Sequence, residues 1–255
     1  MGPLAAQEKV IIGGSGALGD AVEALAKAYK QKYPSDQVDV ISEPMSTTGG
    51  IAGVKIRRLT VGIITRSLNE QEKNEGLVYR TVTRQAVAVV VHKSLNVNDL
   101  SESQICEIFS GNIKSWKDVG AGDGKILVVG RKMDDNDIKA FRDKMTCFKN
   151  LQLTSDAVLL QRGSDVLDAL NNRPGTVGII GTGAVIMERS NVKTVAIAGI
   201  APNLEGVKSG KYKYFSEFGF VTVGEVSGTA KQFVSFVTSS EGGKILEKYH
   251  MAGVR

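Results

Sequence analysis

Three short stretches carry residue types suited to holding an anion. The first is Gly13-Gly14-Ser15-Gly16-Ala17-Leu18-Gly19-Asp20, which follows the apolar run Val10-Ile11-Ile12. After it, Val22, Leu25, Ala26, Tyr29 and Tyr33 recur at three- and four-residue spacing. That order reads as a buried strand, a glycine-rich turn and an amphipathic helix. Amides at a helix start lack intrahelical acceptors and the helix dipole adds partial positive charge, so such a turn suits an anion. Val38-Asp39-Val40-Ile41 runs likewise into Met45-Ser46-Thr47-Thr48-Gly49-Gly50, followed by a helical pattern through Ile51, Val54 and Ile56. Ile126-Leu127-Val128-Val129 runs into Gly130-Arg131-Lys132-Met133-Asp134-Asp135-Asn136-Asp137 and then a helix through Ile138, Phe141 and Met145. Together the three junctions predict an oxyanion held between converging helix N-termini.

The elements that must position these turns alternate strand and helix over the first ~85 residues, the pattern of a parallel α/β layer. Val61-Gly62-Ile63-Ile64 is a third strand, ending at Thr65-Arg66-Ser67. Two long apolar runs, Ala86 to Val91 and Phe218 to Val223, read as crossing strands. They bracket a middle segment, which predicts a second lobe inserted into the first, with boundaries near Thr83–Ala86 and Lys213–Phe218. Ser101 and Gln104 form a capping box for a helix that ends near Gly111. Trp116 reads as a packing anchor in a loop. The stretch Ala157–Leu160 is extended, Val166–Leu170 is helical, and Val177–Ile180 and Val192–Ile197 are strands. Two helices close the chain.

At 255 residues, 42% hydrophobic and 23% charged, the chain has an ordinary globular composition. The net charge of +5 is scattered and suits an acidic small ligand. Lys208, Lys211 and Lys213 interleave with Tyr212, Tyr214 and Phe215, but that alternation also describes a half-exposed strand, and no nucleic-acid partner is expected. No run approaches the ~18 apolar residues of a membrane span. Met1-Gly2-Pro3-Leu4 reads as a leader, with residues 1–8 expected to be disordered. His92 and His250 lie far apart in sequence and near no cysteine pair, so no metal site is expected. Cys106 and Cys147 read first as two buried small hydrophobes, and as a disulfide only if the fold brings them together.

Gly14-x-Gly16-x-x-Gly19 also matches the dinucleotide fingerprint, with Glu43 after the second strand as a ribose partner, so a Rossmann-type oxidoreductase is the competing reading. Gly13-Gly14-Ser15-Gly16-Ala17 is a near miss to the hydrolase nucleophile elbow, lacking its last glycine.

Several segments resemble the periplasmic phosphate-binding proteins of bacterial phosphate ABC transporters. They are Gly14–Ala17, Ser46–Gly50, Val61–Arg66, Leu100–Gly111 with Trp116–Gly120, Val128–Arg131 and Ser239–Leu246. The Ile108-Phe109-Ser110-Gly111…Trp116-Lys117-Asp118-Val119-Gly120 part is the most specific. The resemblance implies an α/β, two-lobed type II periplasmic-binding-protein fold, each lobe a central mostly parallel sheet flanked by helices, joined by two crossing strands. Lobe I would comprise 9–85 and 214–255, and lobe II 86–213. It further implies a non-enzymatic monomer without cofactor, outside the cytoplasm, which closes on phosphate or a related oxyanion and presents it to a membrane permease, or serves as a diverged anion sensor. By position, the implied ligand contacts are Ser15 with Gly16, Ala17 and Leu18; Ser46, Thr47, Thr48 and Gly49; Thr65 or Arg66; and Arg131. After the arginine the family usually has a Ser-Gly-Thr cluster, whereas this chain has Asp134-Asp135-Asn136-Asp137. Asp135, Asn136 and Asp137 either touch ligand, with a carboxylate accepting the proton of a monohydrogen anion, or cap the following helix.

Overall fold

The computed structural model describes residues 9–132, 135–183, 185 and 191–254. Residues 1–8, expected to be a leader, lie outside that set, as do Met133 and Asp134. The chain divides into two compact units, residues 1–84 with 217–255 and residues 85–216.

In the first unit, β1 (Val10–Gly14) pairs in parallel with β2 (Val38–Val40) and β3 (Val61–Ile64). Strand β10 (Phe215–Val223) runs antiparallel to β3, β4 (Leu77–His92) lies beside it, and β11 (Ala252–Gly253) pairs with β4. Helix α1 (Gly19–Lys32) buries Val22, Leu25, Ala26 and Tyr29 on one sheet face, as the spacing predicted. Helices α7 (Gly228–Val237) and α8 (Ser240–Glu247) cover the same core through Phe233, Phe236 and Leu246. On the opposite face, α2 (Ser46–Lys55) packs Ile51 and Val54 against Leu59, Ile64 and Val221. Ile56 departs from the expected pattern: it stands just past the end of α2 and is 72% exposed, because the helix stops one residue before it.

The second unit is built on a mixed sheet. Strand β6 (Leu127–Gly130) pairs in parallel with β7 (Val158–Leu159) and β8 (Thr176–Gly181), β4 runs antiparallel to β8 and β9 (Val192–Ile197), and β5 (Asp99–Leu100) is parallel to β9. Both faces of the central strands are buried, which fits their unbroken Val/Ile runs. Helix α4 (Glu102–Ser110) opens with the expected Ser101–Gln104 capping box and ends at Gly111 in the left-handed conformation. Helix α6 (Gly163–Asn172) packs Val166, Leu167 and Leu170 onto β6 and β8. Trp116 is buried in a tight helical turn, and its indole N–H donates to the Gly175 carbonyl at 2.9 Å.

Two expectations are corrected here. Cys106 and Cys147 do not stand apart as buried thiols but form a disulfide, with Cα atoms 6.1 Å apart, clamping α4 to the turn after α5 (Asn136–Arg142). Residues 211–214 precede β10 rather than forming a strand. Tyr212 and Tyr214 there are buried, with hydroxyls donating to the Val87 carbonyl and to Glu102, so neither ring is available to stack a base. None of the described helices is long and apolar enough to cross a membrane.

Candidate functional site

In the first unit the ends of β1 and β3 and the start of α2 are drawn to one place by backbone bonds. The Ser15 N–H donates to the Ile63 carbonyl at 2.9 Å, and the Met45 N–H donates to the Gly14 carbonyl at 2.8 Å. Such closeness requires glycine. A Cβ on Gly14, whose φ is +137°, would stand 2.4 Å from the Ile63 carbonyl oxygen, and one on Gly50 would stand 2.8 Å from the same atom. The strand-to-helix turns can converge only because these side chains are absent.

The side chains then follow. Ser15 caps a short helical turn over Gly16–Leu18, its hydroxyl accepting from the Ala17 N–H at 3.4 Å. Ser46 has φ +64° and accepts from the Gly49 N–H at 3.3 Å, so Gly49's amide is already engaged. Helix geometry leaves the Thr47 and Thr48 amides at the start of α2 without intrahelical acceptors. The Thr47 hydroxyl accepts the Thr65 N–H at 3.1 Å and lies 3.0 Å from the Thr65 hydroxyl. Ser15, Ser46, Thr47 and Thr65 thus share one cluster of strand and helix ends, within one unit.

Arg66 is placed differently from the expectation. Its guanidinium grips Glu72 with two bonds of 2.8 and 2.7 Å and also donates to the Ser67 carbonyl. Glu72 in turn closes the capping box of α3 (Glu70–Asn74) with Asn69. The hydrogen bonds from Arg66 hold the Glu72 carboxyl below its ordinary range, and those to Glu72 raise Arg66. A fork satisfied bidentately by a carboxylate that is 14% exposed clamps its loop.

In the second unit, Arg131 follows β6 and Asp135 caps α5, accepting the Asp137 N–H at 3.1 Å. Asp135 also pairs with Arg131 at 2.5 Å. Asn136 lines a cavity of about 300 Å³ with Arg131, Lys132, Asp135, Leu160 and Gln161. Asp137 does not share that lining. Its carboxylate accepts from the Gly181 N–H at 3.0 Å and the Ser216 hydroxyl at 3.2 Å. The residue keeps some exposed surface, but its carboxyl group is enclosed, and burial followed by the Asp135 charge pushes it up to about 6. Of the three described acidic-loop candidates, then, Asp135 caps and pairs, Asn136 faces the cavity, and Asp137 braces β8 and β10. Sequence reasoning missed Lys132, Leu160 and Gln161. Gln161 had a signal in the sequence, since it follows the extended stretch Ala157–Leu160 much as Arg131 follows Ile126–Val129, and the two strands pair in parallel. Among the described residues no cluster of His, Cys, Asp and Glu is arranged to hold a metal ion.

A family model described as the PBP superfamily domain matches residues 2–241, and the chain belongs to that superfamily. Its α/β architecture is the type II periplasmic-binding fold. Phosphate-binding protein PstS of Borreliella burgdorferi is 23% identical over 256 residues, covering 97% of this chain and 91% of the relative. Phosphate-binding protein PstS of Bacillus subtilis is 24% identical, covering 92% and 77%. A crystal structure from Clostridium perfringens, assigned as a phosphate ABC transporter substrate-binding protein and solved with bound phosphate, is 28% identical. It covers 97% of this chain and 100% of its own, with a TM-score of 0.80. These relatives are binding proteins, and the dinucleotide and nucleophile-elbow readings of Gly13–Gly19 find no support among them.

Proposed function

We propose that this chain binds inorganic phosphate as the solute-binding component of an ABC importer, outside the cytoplasm, and hands it unchanged to a membrane permease. The observation that carries the reading is the meeting of Ser15, Ser46, Thr47 and Thr65 at one point of the first unit, in a chain whose relatives are named for phosphate. Hydroxyls and helix-start amides donate to the oxygens of a tetrahedral anion, and their dipoles offset its charge. Arg131 and Asn136 are the second unit's contribution, one a charged fork and the other a neutral amide donor. Asp137 and Arg66 serve as framework.

Calorimetry with phosphate, arsenate and sulfate tests this. One phosphate per chain is expected, with arsenate competing. Phosphate at a thousand times its dissociation constant should raise stability by about 4 kcal/mol, read as a thermal shift. Arg131→Ala should remove most of that shift. No heat and no thermal shift at millimolar phosphate would remove the reading.

A further inference from the structure

We propose that Asp135 is a tethered competitor for the anion: its carboxylate sits on the Arg131 guanidinium where an oxyanion would sit, and it sets the affinity of the site. The inference rests on the phosphate reading above and adds a control to it.

The geometry is specific. Arg131 Nη1 and Asp135 Oδ2 are 2.5 Å apart, and the Asp135 side chain is 10% exposed against 41% for Arg131. The other carboxylate oxygen, Oδ1, accepts the Asp137 N–H, so the side chain is anchored from both ends. An ion pair between two exposed residues four apart in a helix contributes a few tenths of a kcal/mol and little structure. This pair is of another kind, because it joins the residue after a strand to a helix cap and half of it is withdrawn from water. The cavity around it is lined by Lys132 and Asn136 as well as the pair, and at about 300 Å³ it has room for an anion. That volume equals roughly ten waters of liquid.

A carboxylate and an oxyanion edge present the same thing to a guanidinium, two acceptor oxygens carrying negative charge. Asp135 is therefore an internal replica of the guest. A group held on the same short loop acts at a high effective concentration, millimolar or above. Phosphate must displace it before taking the Arg131 fork, so the measured dissociation constant exceeds that of an unobstructed site by the ratio of occupied to open forms. Arg131 then works in two states, closed by its own chain or by ligand. One carboxylate oxygen occupies Nη1 of the fork without ligand and leaves it when phosphate is abundant.

The test compares wild type with Asp135→Ser and Asp135→Asn in phosphate calorimetry. Both replacements retain a good helix cap, so α5 is kept, and circular dichroism checks the fold. Each variant is expected to bind phosphate at least tenfold more tightly. Against Arg131→Ala alone, the double variant Asp135→Ser with Arg131→Ala should show no gain, because competition requires the fork. If wild type and variants bind within twofold of each other, the competitor is overturned while phosphate binding stands. A gain that survives in the double variant shows general charge repulsion and overturns it too. Phosphate binding by none of these proteins, wild type included, overturns both this inference and the function it rests on.

Discussion

The Thr47 hydroxyl accepts the backbone N–H of Thr65 at 3.1 Å and lies 3.0 Å from that residue's own hydroxyl, so the first turn of α2 is fastened to the end of β3. The two threonines therefore have separable duties. Thr65→Val keeps the N–H bond to Thr47 and should cost under ~1 kcal/mol of stability while weakening phosphate about tenfold. Thr47→Val removes the acceptor that the Thr65 N–H uses, unfastens α2 from β3, and should cost about 1–3 kcal/mol as well as affinity. Melting curves and calorimetry on the two variants check the split, and equal melting temperatures would contradict it.

Convergence of the first unit's turns depends on two glycines. Gly14→Ala forces a Cβ to 2.4 Å from the Ile63 carbonyl oxygen at φ +137°, and Gly50→Ala forces one to 2.8 Å from the same atom. Each should lose on the order of 3 kcal/mol or more, lowering the melting temperature by roughly 6 °C or beyond. Gly19→Ala is the control. It opens α1 with nothing within 4 Å of the added carbon, and should be neutral or stabilising by up to ~1 kcal/mol. Three indistinguishable melting curves would refute the packing account.

Arg66→Ala should lower stability by about 1–3 kcal/mol and leave phosphate affinity within threefold, because it strands Glu72 rather than uncovering a ligand. The sign with pH follows from the depressed Glu72 carboxyl. Its pairing contributes fully above the unfolded carboxylate range near ~4.3 and is lost as the pH falls through the lower folded value. The gap between wild type and Arg66→Ala should therefore narrow in acid. A large affinity loss in this variant would return Arg66 to the site.

Asp137 predicts the opposite pH sense. Its folded value of about 6 lies above the ordinary 3.8, so the native state holds the proton more tightly. The stability that comes from protonation is complete below about pH 4 and lost as the pH rises through about 6, on the order of 3 kcal/mol in all. Asp137→Asn can still accept from Gly181 and donate to the Ser216 hydroxyl. It should flatten the fall between pH 4.5 and 7.5 in denaturant titrations, whereas parallel profiles would show that the enclosed carboxyl does not titrate there.

The disulfide between Cys106 and Cys147 closes 41 residues of sequence. Chain-entropy arguments give about 4 kcal/mol for a loop of that length. Reduction, or replacement of both cysteines by alanine, should lower the melting temperature by roughly 8–16 °C. Thiol counting on the denatured, unreduced protein should find none, and two free thiols would contradict the bridge.

Much of this was legible in one dimension. The run Val10–Asp20 had to become strand, turn and helix, because period and glycine placement act over a few residues. Ser101 and Gln104 had to cap α4 for the same reason. Arg66 was harder, since its partner is six residues on and a long side chain reaches many places. Spacing could not reveal the cysteine pair, because contact across 41 residues depends on how α4 and α5 pack. The acidic loop was ambiguous for a related reason: Asp135 and Asp137 are alike in type and two apart, and only the positions of Arg131, Gly181 and Ser216 separate them.

By itself the amino-acid sequence determined the alternation of strands and helices, the glycine-rich junctions that suit an anion, and the family to which they belong. These are local or pattern-borne properties, set by backbone sterics and hydrophobic period. Only the tertiary structure decided which polar side chains are taken by the protein itself. Arg66 on Glu72, Asp137 on Gly181 and Ser216, and Asp135 on Arg131 each depend on distances between elements, and distance is what a chain acquires only by folding.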